Sequence, residues 1–207
     1  MHAAMPVRFT GTTPYAVEEH ANVSRVNVLG ERVWMVYRRD EAEWRRRTNH
    51  GLGALTELDL LDVLMDLPAH MPVPLGSLAA HKRRTLARLP AGVIRHGAGT
   101  VTRLIIPAVS PLLAIVPARE WQSGAESASG FAAYCPRMVV LREMPPDKEM
   151  TLSQASWYGI GVALAGEHAP RILIDPEPLA DWQPTPAWWA FSEKIYAQVS
   201  SAETDHR

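Results

Sequence analysis

The chain has 207 residues, of which 47% are hydrophobic and 21% are charged, and its formal net charge is −1. This composition excludes a wholly disordered protein, and the length is sufficient for one large domain or two small ones. A net charge so close to zero also excludes a global field that would steer polyanions toward the whole molecule.

Charge is divided unevenly along the chain. Residues 1–103 hold 14 Lys and Arg against 10 Asp and Glu, whereas residues 104–207 hold 7 against 12. Only three of the 21 basic residues are lysines. Such a preference for arginine is typical of GC-rich genomes, so arginine clusters need support beyond their number before they indicate a function.

The cysteine count and the hydrophobic runs predict a soluble cytoplasmic protein. Cys135 is the only cysteine, which excludes an internal disulfide and a thiolate zinc site. The most apolar run, residues 104–118, is interrupted by three prolines and is too short to cross a bilayer. The first residues lack the charged-then-apolar order of a signal peptide.

In the N-terminal half, the sequence predicts a β-hairpin and then a helix. Val26 and Val28 alternate with polar residues before Gly30, and a β-rich run follows, which indicates a hairpin over residues 25–37. Asp40 is a suitable N-cap for a helix over about 41–50, with Glu43 completing a capping box. Its arginine-rich last turn complements the helix dipole.

Two further helices and a second hairpin are predicted next. Leucines at helical spacing indicate a helix over 56–67, and Ser77 is a suitable cap for a third helix over about 77–89. A hairpin over 93–106 turns at the glycines of His-Gly-Ala-Gly. Three helices followed by a hairpin resemble, in element order, winged-helix proteins over about a third of the chain, although the connection 68–76 is longer than expected.

This resemblance implies that helix 77–89 enters the major groove of DNA and that the hairpin touches phosphates. His81, Arg84 and Arg88 share one face of that helix at spacings of three and four residues. Arginine suits the role because its planar guanidinium pairs bidentately with phosphate or guanine. The nucleic-acid-binding residues predicted in this way are His81, Lys82, Arg83, Arg84, Arg88, Arg95 and Arg103.

The C-terminal half reads as alternating strands and helices, so we predict an α+β protein. A short strand over 112–116 precedes a Ser/Gly/Ala-rich stretch, residues 122–130, which we interpret as a loop. The remaining predicted elements are a strand over 138–141, a helix from Thr151 to Gly166, a strand over 171–174 and a helix from Pro186. We predict a helix and hairpin region over 25–120 and a βαβα region over 131–200, with the alternative of one shared core.

Carboxylates at strand ends offer an alternative site. About 30 residues containing one helix separate strands 138–141 and 171–174, which fits two parallel strands in a βαβ unit. Glu143 would then lie near Asp175 and Glu177 at the carboxyl edge of the sheet, where ligands collect. Together these carboxylates would bind Mg²⁺ or Mn²⁺.

Tryptophans cluster near the end of the chain and support a third hypothesis. Trp188 falls on the apolar face of the last helix, whereas Trp189 and Tyr196 are placed to face outward. Exposed aromatics of this kind mark partner or self-association surfaces, although core packing is the favoured interpretation of these residues.

Three functions follow from these observations, in order of preference. The first is a cytoplasmic, non-enzymatic nucleic-acid-binding protein of the bacterial regulator type, which contacts nucleic acid through helix 77–89 and needs no cofactor. The second is a metal-dependent enzyme that uses Glu143, Asp175 and Glu177. The third is an interaction or assembly subunit with an aromatic C-terminal surface formed by Trp189 and Tyr196.

Overall fold

The computed structural model describes residues 21–166, 170–180 and 182–204. These residues form an α+β fold with six α-helices and nine strands, divided between two compact units. The sheet unit takes residues 21–38 and 111–182 of the described chain, and the helix unit takes residues 39–110 and 183–204. Residues 39–110 of the helix unit are therefore inserted, in sequence, between the two segments of the sheet unit.

The predicted N-terminal hairpin is confirmed. Strand β1 (Ala21–Val28) pairs antiparallel with β2 (Glu31–Arg39) through a two-residue turn. Leu29 and Gly30 both have positive φ, 57° and 81°, as the two-residue turns that match strand twist require. Glycine supplies the second of these conformations without a steric penalty.

The hairpin forms one end of a six-stranded sheet with the order β1-β2-β6-β7-β8-β9. Its later strands are β6 (Val109–Ala118), β7 (Arg137–Leu141), β8 (Gly161–Leu164) and β9 (Arg171–Ile174). The pairs β6/β7 and β7/β8 are parallel, whereas β9 is antiparallel to β8. The strand predicted over 112–116 thus joins the later sheet.

Strand β7 occupies the centre of the sheet unit. Val139 and Leu141 are fully buried, and Met138 and Val140 on the opposite face pack with Leu113 in one apolar cluster. Strands of a parallel sheet are covered on both faces, which explains why this segment is a continuous apolar run rather than an alternating one.

The stretch that we interpreted as a loop is a helix, α4 (Trp121–Ser129). Its Ser and Gly content obscured a buried face made of Trp121, Gly124 and Ala128, which recur at helical spacing. Small residues on that face allow the helix to lie close to the sheet: a methyl group on Gly124 would come within 2.7 Å of Val139.

The next helix, α5 (Lys148–Tyr158), is shorter at its C-terminal end than predicted. Its N-cap is Asp147, whose side chain accepts a hydrogen bond from the Met150 amide, rather than Thr151. Gly159 ends it with a φ of 63°, and the remainder of the predicted helix is strand β8. The buried residues of α5 are Thr151 and Ala155, and Trp157 in its last turn is 84% exposed.

In the helix unit, three helices contribute to the interior: α1 (Glu41–His50), α2 (Leu58–Met65) and α6 (Pro186–Thr204). The predicted Asp40 cap is confirmed, because its carboxylate accepts a hydrogen bond of 2.8 Å from the Glu43 amide. Helix α6 begins at Pro186, a residue that the first helical position tolerates. None of the described helices is long and apolar enough to cross a membrane.

The remaining elements of the helix unit form a small module beside α2. Strand β3 (Pro72–Pro74), helix α3 (Ala80–Leu86), β4 (Ile94–Gly97) and β5 (Thr100–Arg103) follow α2 in the chain. The strands form an antiparallel sheet with the order β3-β5-β4. The predicted hairpin is therefore present, but its residues belong to this sheet and not to the larger one, and β3 falls within the connection 68–76.

Candidate nucleic-acid interface

Helix α3 packs on its neighbours through an apolar side, and its basic residues on the other side are exposed. The helix covers seven residues, where the sequence predicted about 77–89, because Leu75–Ser77 form a separate 3₁₀ turn. Leu86 is 2% exposed and packs in one cluster with Val63 of α2 and Val101 of β5. His81, Arg83 and Arg84 are exposed.

The hairpin β4–β5 presents a second basic segment. Gly99, with a φ of 71°, forms the turn, and the buried Val101 and Thr102 fix β5 on the interior. Arg95 and His96 of β4 are exposed. The position of each strand explains this division, because β5 lies between β3 and β4 whereas β4 is at the edge of the sheet.

Two of the predicted basic residues are already paired with carboxylates of α2. Lys82 donates from Nζ to Asp66, and Arg88 donates from Nη1 to Asp59 over 2.5 Å. The hydrogen bond that Lys82 donates to Asp66 raises the pKa of Lys82 above its ordinary value. Because all four side chains are at least a quarter exposed, both pairs lie in solvent and contribute little to stability.

Arg83 and Arg103 bind backbone carbonyls. Arg83 Nη1 donates to the Leu78 carbonyl over 2.9 Å, which ties the start of α3 to the preceding turn. Arg103 Nη1 donates to the Leu64 carbonyl over 3.1 Å, and its guanidinium lies 5.2 Å from the ring centroid of Trp189. Burial lowers the pKa of Arg103. We therefore assign Arg103 to the packing of the helix unit.

His81, Arg84 and Arg95 remain, and we call them the open basic residues. All three are exposed, and none of them forms an ion pair within the described part of the chain. They come from α3 and β4 of the small module. A guanidinium without an internal acceptor offers its full set of donors to a phosphate.

The carboxylates of the alternative metal site do not converge. The prediction of parallel strands is wrong, because β8 lies between the two strands and β9 runs opposite to β7. Glu143 follows the carboxyl end of β7. Glu177 lies near the opposite end of that strand, the amino end, where its charge acts on Arg137. Asp175 follows β9 at that same end. Among the described residues, no group of three or more metal-ligating side chains is close enough to hold an ion.

The alternative of an exposed aromatic surface at the C-terminal helix is wrong, and the favoured interpretation, core packing, is confirmed. Trp189 is 2% exposed and Tyr196 is 4% exposed. The indole N–H of Trp189 donates to Glu193 over 2.9 Å, and the ring of Tyr196 meets Trp44 edge-on at 5.0 Å between centroids. Both aromatics belong to the interior of the helix unit.

A buried ion-pair network holds α1, whose buried residues are Glu43, Trp44 and Arg47. Arg47 is 0% exposed and donates to Glu43 over 2.8 Å and to Glu193 over 2.6 and 2.8 Å. Glu193 also accepts the Leu55 amide over 3.0 Å. Burial alone would lower the pKa of Arg47, but the two carboxylates outweigh it and raise that pKa.

Sequence reasoning missed this network although part of its signal was present. Glu43 and Arg47 stand four residues apart, the spacing at which side chains meet on one helix face. Their partner Glu193 lies 146 residues away from Arg47, so its contribution has no local signature. Every donor and acceptor noted here has a protein partner, which indicates a structural role.

Cys135 has no features of a nucleophile. The thiol is 1% exposed, and burial raises its pKa to about 12. Because only the thiolate attacks substrates, a cysteine in this environment is inert at neutral pH.

Comparison of the chain with known protein families, with curated proteins and with solved structures found no match.

Proposed function

We propose that the protein is a non-enzymatic nucleic-acid-binding protein of the bacterial regulator type, which binds through α3 and β4 of the helix unit. The observation that carries the proposal is the set of open basic residues, His81, Arg84 and Arg95, each of which is exposed in one small module. Binding of phosphates by Lys and Arg releases condensed counterions from the nucleic acid, which supplies most of the affinity of such surfaces.

The size of α3 favours contacts to phosphates over contacts to bases. Seven residues at 1.5 Å per residue give a helix of roughly 10 Å, which offers few positions for reading base edges. Of the basic residues on this helix, only His81 and Arg84 are both exposed and have side chains without a hydrogen-bond acceptor among the described residues. Phosphate contacts fix position but carry no sequence information, so the expected sequence preference is small.

Fluorescence polarisation with a labelled random-sequence DNA duplex at two salt concentrations tests the proposal. We expect the wild-type protein to bind, with an affinity that falls steeply as salt rises. In the double variant Arg84→Ala/Arg95→Ala, two phosphate contacts are lost, so the slope of log K against log salt decreases in magnitude by roughly 0.9 per contact. Affinity at low salt should fall by about tenfold or more.

A matched control removes the same charge elsewhere. Arg25 and Arg32 are exposed on the hairpin of the sheet unit, and the variant Arg25→Ala/Arg32→Ala loses two positive charges there. We expect this control to retain the wild-type salt slope. Equal losses in the two double variants would show that binding follows net charge alone. Absence of wild-type binding at low salt would refute the proposal.

A further inference from the structure

Exposed aspartates of α2 and its C-terminal cap lie beside basic side chains of α3 and of the residues that follow it. Asp59, Asp62 and Asp66 are spaced by three and four residues and are all exposed, so they form one stripe on α2. Asp59 pairs with Arg88 and Asp66 pairs with Lys82. These pairs join residues 29 and 16 positions apart in sequence, so they form only when residues 59–66 and residues 82–88 have packed together.

The middle residue of the stripe differs from its neighbours. Asp62 forms no ion pair within the described part of the chain, although its charge acts on Lys82 and contributes to the raised pKa of that residue. Two carboxylates of the stripe therefore form ion pairs with basic side chains, whereas the third lies near Lys82 without forming one. All three carry the same charge.

We propose that Asp59 and Asp66 are an intramolecular mask, an autoinhibitory contact that occupies Arg88 and Lys82 where a phosphate would bind. This inference rests on the proposed function, and it divides the basic residues of the module into an open set and a masked set. A carboxylate and a phosphate compete for the same N–H donors, so each masked side chain must leave its aspartate before it contacts nucleic acid. Exposed pairs of this kind are weak enough to open.

The mask has a direct consequence for binding. While the pairs are closed, nucleic acid contacts the open basic residues alone and releases few counterions. Opening both pairs adds two phosphate contacts without any change of fold. Neutralising Asp59 or Asp66 should have the same effect, because the partner side chain then lacks its internal acceptor.

Three single variants separate a mask from general electrostatics: Asp59→Asn, Asp66→Asn and Asp62→Asn. Each removes one negative charge from the same exposed stripe. If the mask exists, Asp59→Asn and Asp66→Asn each steepen the salt slope of duplex DNA binding by roughly 0.9. Affinity at low salt rises by at most about fivefold, because an exposed ion pair is weak. Asp62→Asn leaves the slope unchanged, because it liberates no basic side chain. Equal slopes in all three variants would overturn the mask.

A second arm uses the basic partner. In an Arg88→Ala background there is no side chain to unmask, so Asp59→Asn should no longer steepen the slope, and a slope change that persists there overturns the inference. Circular dichroism confirms that each variant retains its helices. If the wild type binds through Arg84 and Arg95 but the aspartate variants match it, the mask alone fails. If the wild type does not bind at low salt, the proposed function fails and the mask fails with it.

Discussion

The two units of the molecule differ in how many polar and charged side chains they bury. In the sheet unit the interior is apolar, and Thr151 is the one buried polar residue among the described positions of that unit. The helix unit buries a polar or charged set in its interior: Glu43, Arg47, Thr102, Ser192 and Glu193. Apolar strands assemble the first unit, whereas α1 is joined to α6 in the second by ion pairs.

This difference shows why an arginine in this sequence does not by itself indicate whether its role is structural or functional. Arg47 is wholly buried and has only protein partners, whereas Arg84 is exposed and has no ion pair within the described residues. Both residues stand in an arginine-rich helical stretch with few apolar neighbours. The side chain is the same, and its role depends on whether carboxylates from distant segments surround it.

The largest effect on stability is expected for Arg47→Met. The change leaves Glu193 buried without its cation, and breaking a buried pair in this way costs about 3–5 kcal/mol of unfolding free energy. Hydrogen exchange followed by mass spectrometry should show the loss of protection in α1 and α6. Arg45→Met is the control, since Arg45 is exposed on the same helix and donates only to the Glu41 carbonyl over 3.1 Å. A comparable loss in both variants would contradict a buried network.

A smaller effect is expected for Gly124→Ala in the sheet unit. The added methyl group would lie 2.7 Å from Ala118 Cβ and 2.7 Å from Val139 Cγ1, and overpacking of this kind costs about 1–3 kcal/mol. Urea unfolding measures the loss. Gly130→Ala is the matched control, because its φ is −59° and its nearest neighbour would be 3.5 Å away. Equal stability of the two variants would mean that α4 does not approach the sheet closely.

The smallest effect at neutral pH concerns Cys135. Because burial raises its pKa from 9.0 to about 12, the neutral thiol contributes stability that is complete below pH 9.0 and is lost as pH rises toward 12. The difference in unfolding free energy between the wild type and Cys135→Ala should therefore stay constant below pH 9.0 and decrease above it. Urea titrations of both proteins across that range provide the measurement. A difference that is independent of pH would place the thiol in a polar environment.

Several elements were predictable because their signals are local. Alternating valines before Gly30 predicted the first hairpin, and Asp40 predicted the start of α1, since a cap acts on an amide three residues away. Pro186 marked the first residue of α6. Local signals failed where small residues formed the buried face, as in α4, and where a short strand followed a helix directly, as β8 does.

The candidate site was only partly predictable, for a related reason. The sequence by itself determined the α+β class, the first hairpin, several of the helices and which side chains carry positive charge. Tertiary structure alone decided that β8 separates the predicted carboxylates, that Trp189 and Tyr196 are buried, and which basic residues are open. Capping, turns and periodicity act over a few residues, whereas the pairs that occupy Lys82, Arg88 and Arg47 join residues 16, 29 and 146 positions apart. Contacts at such separations exist only after the elements have packed.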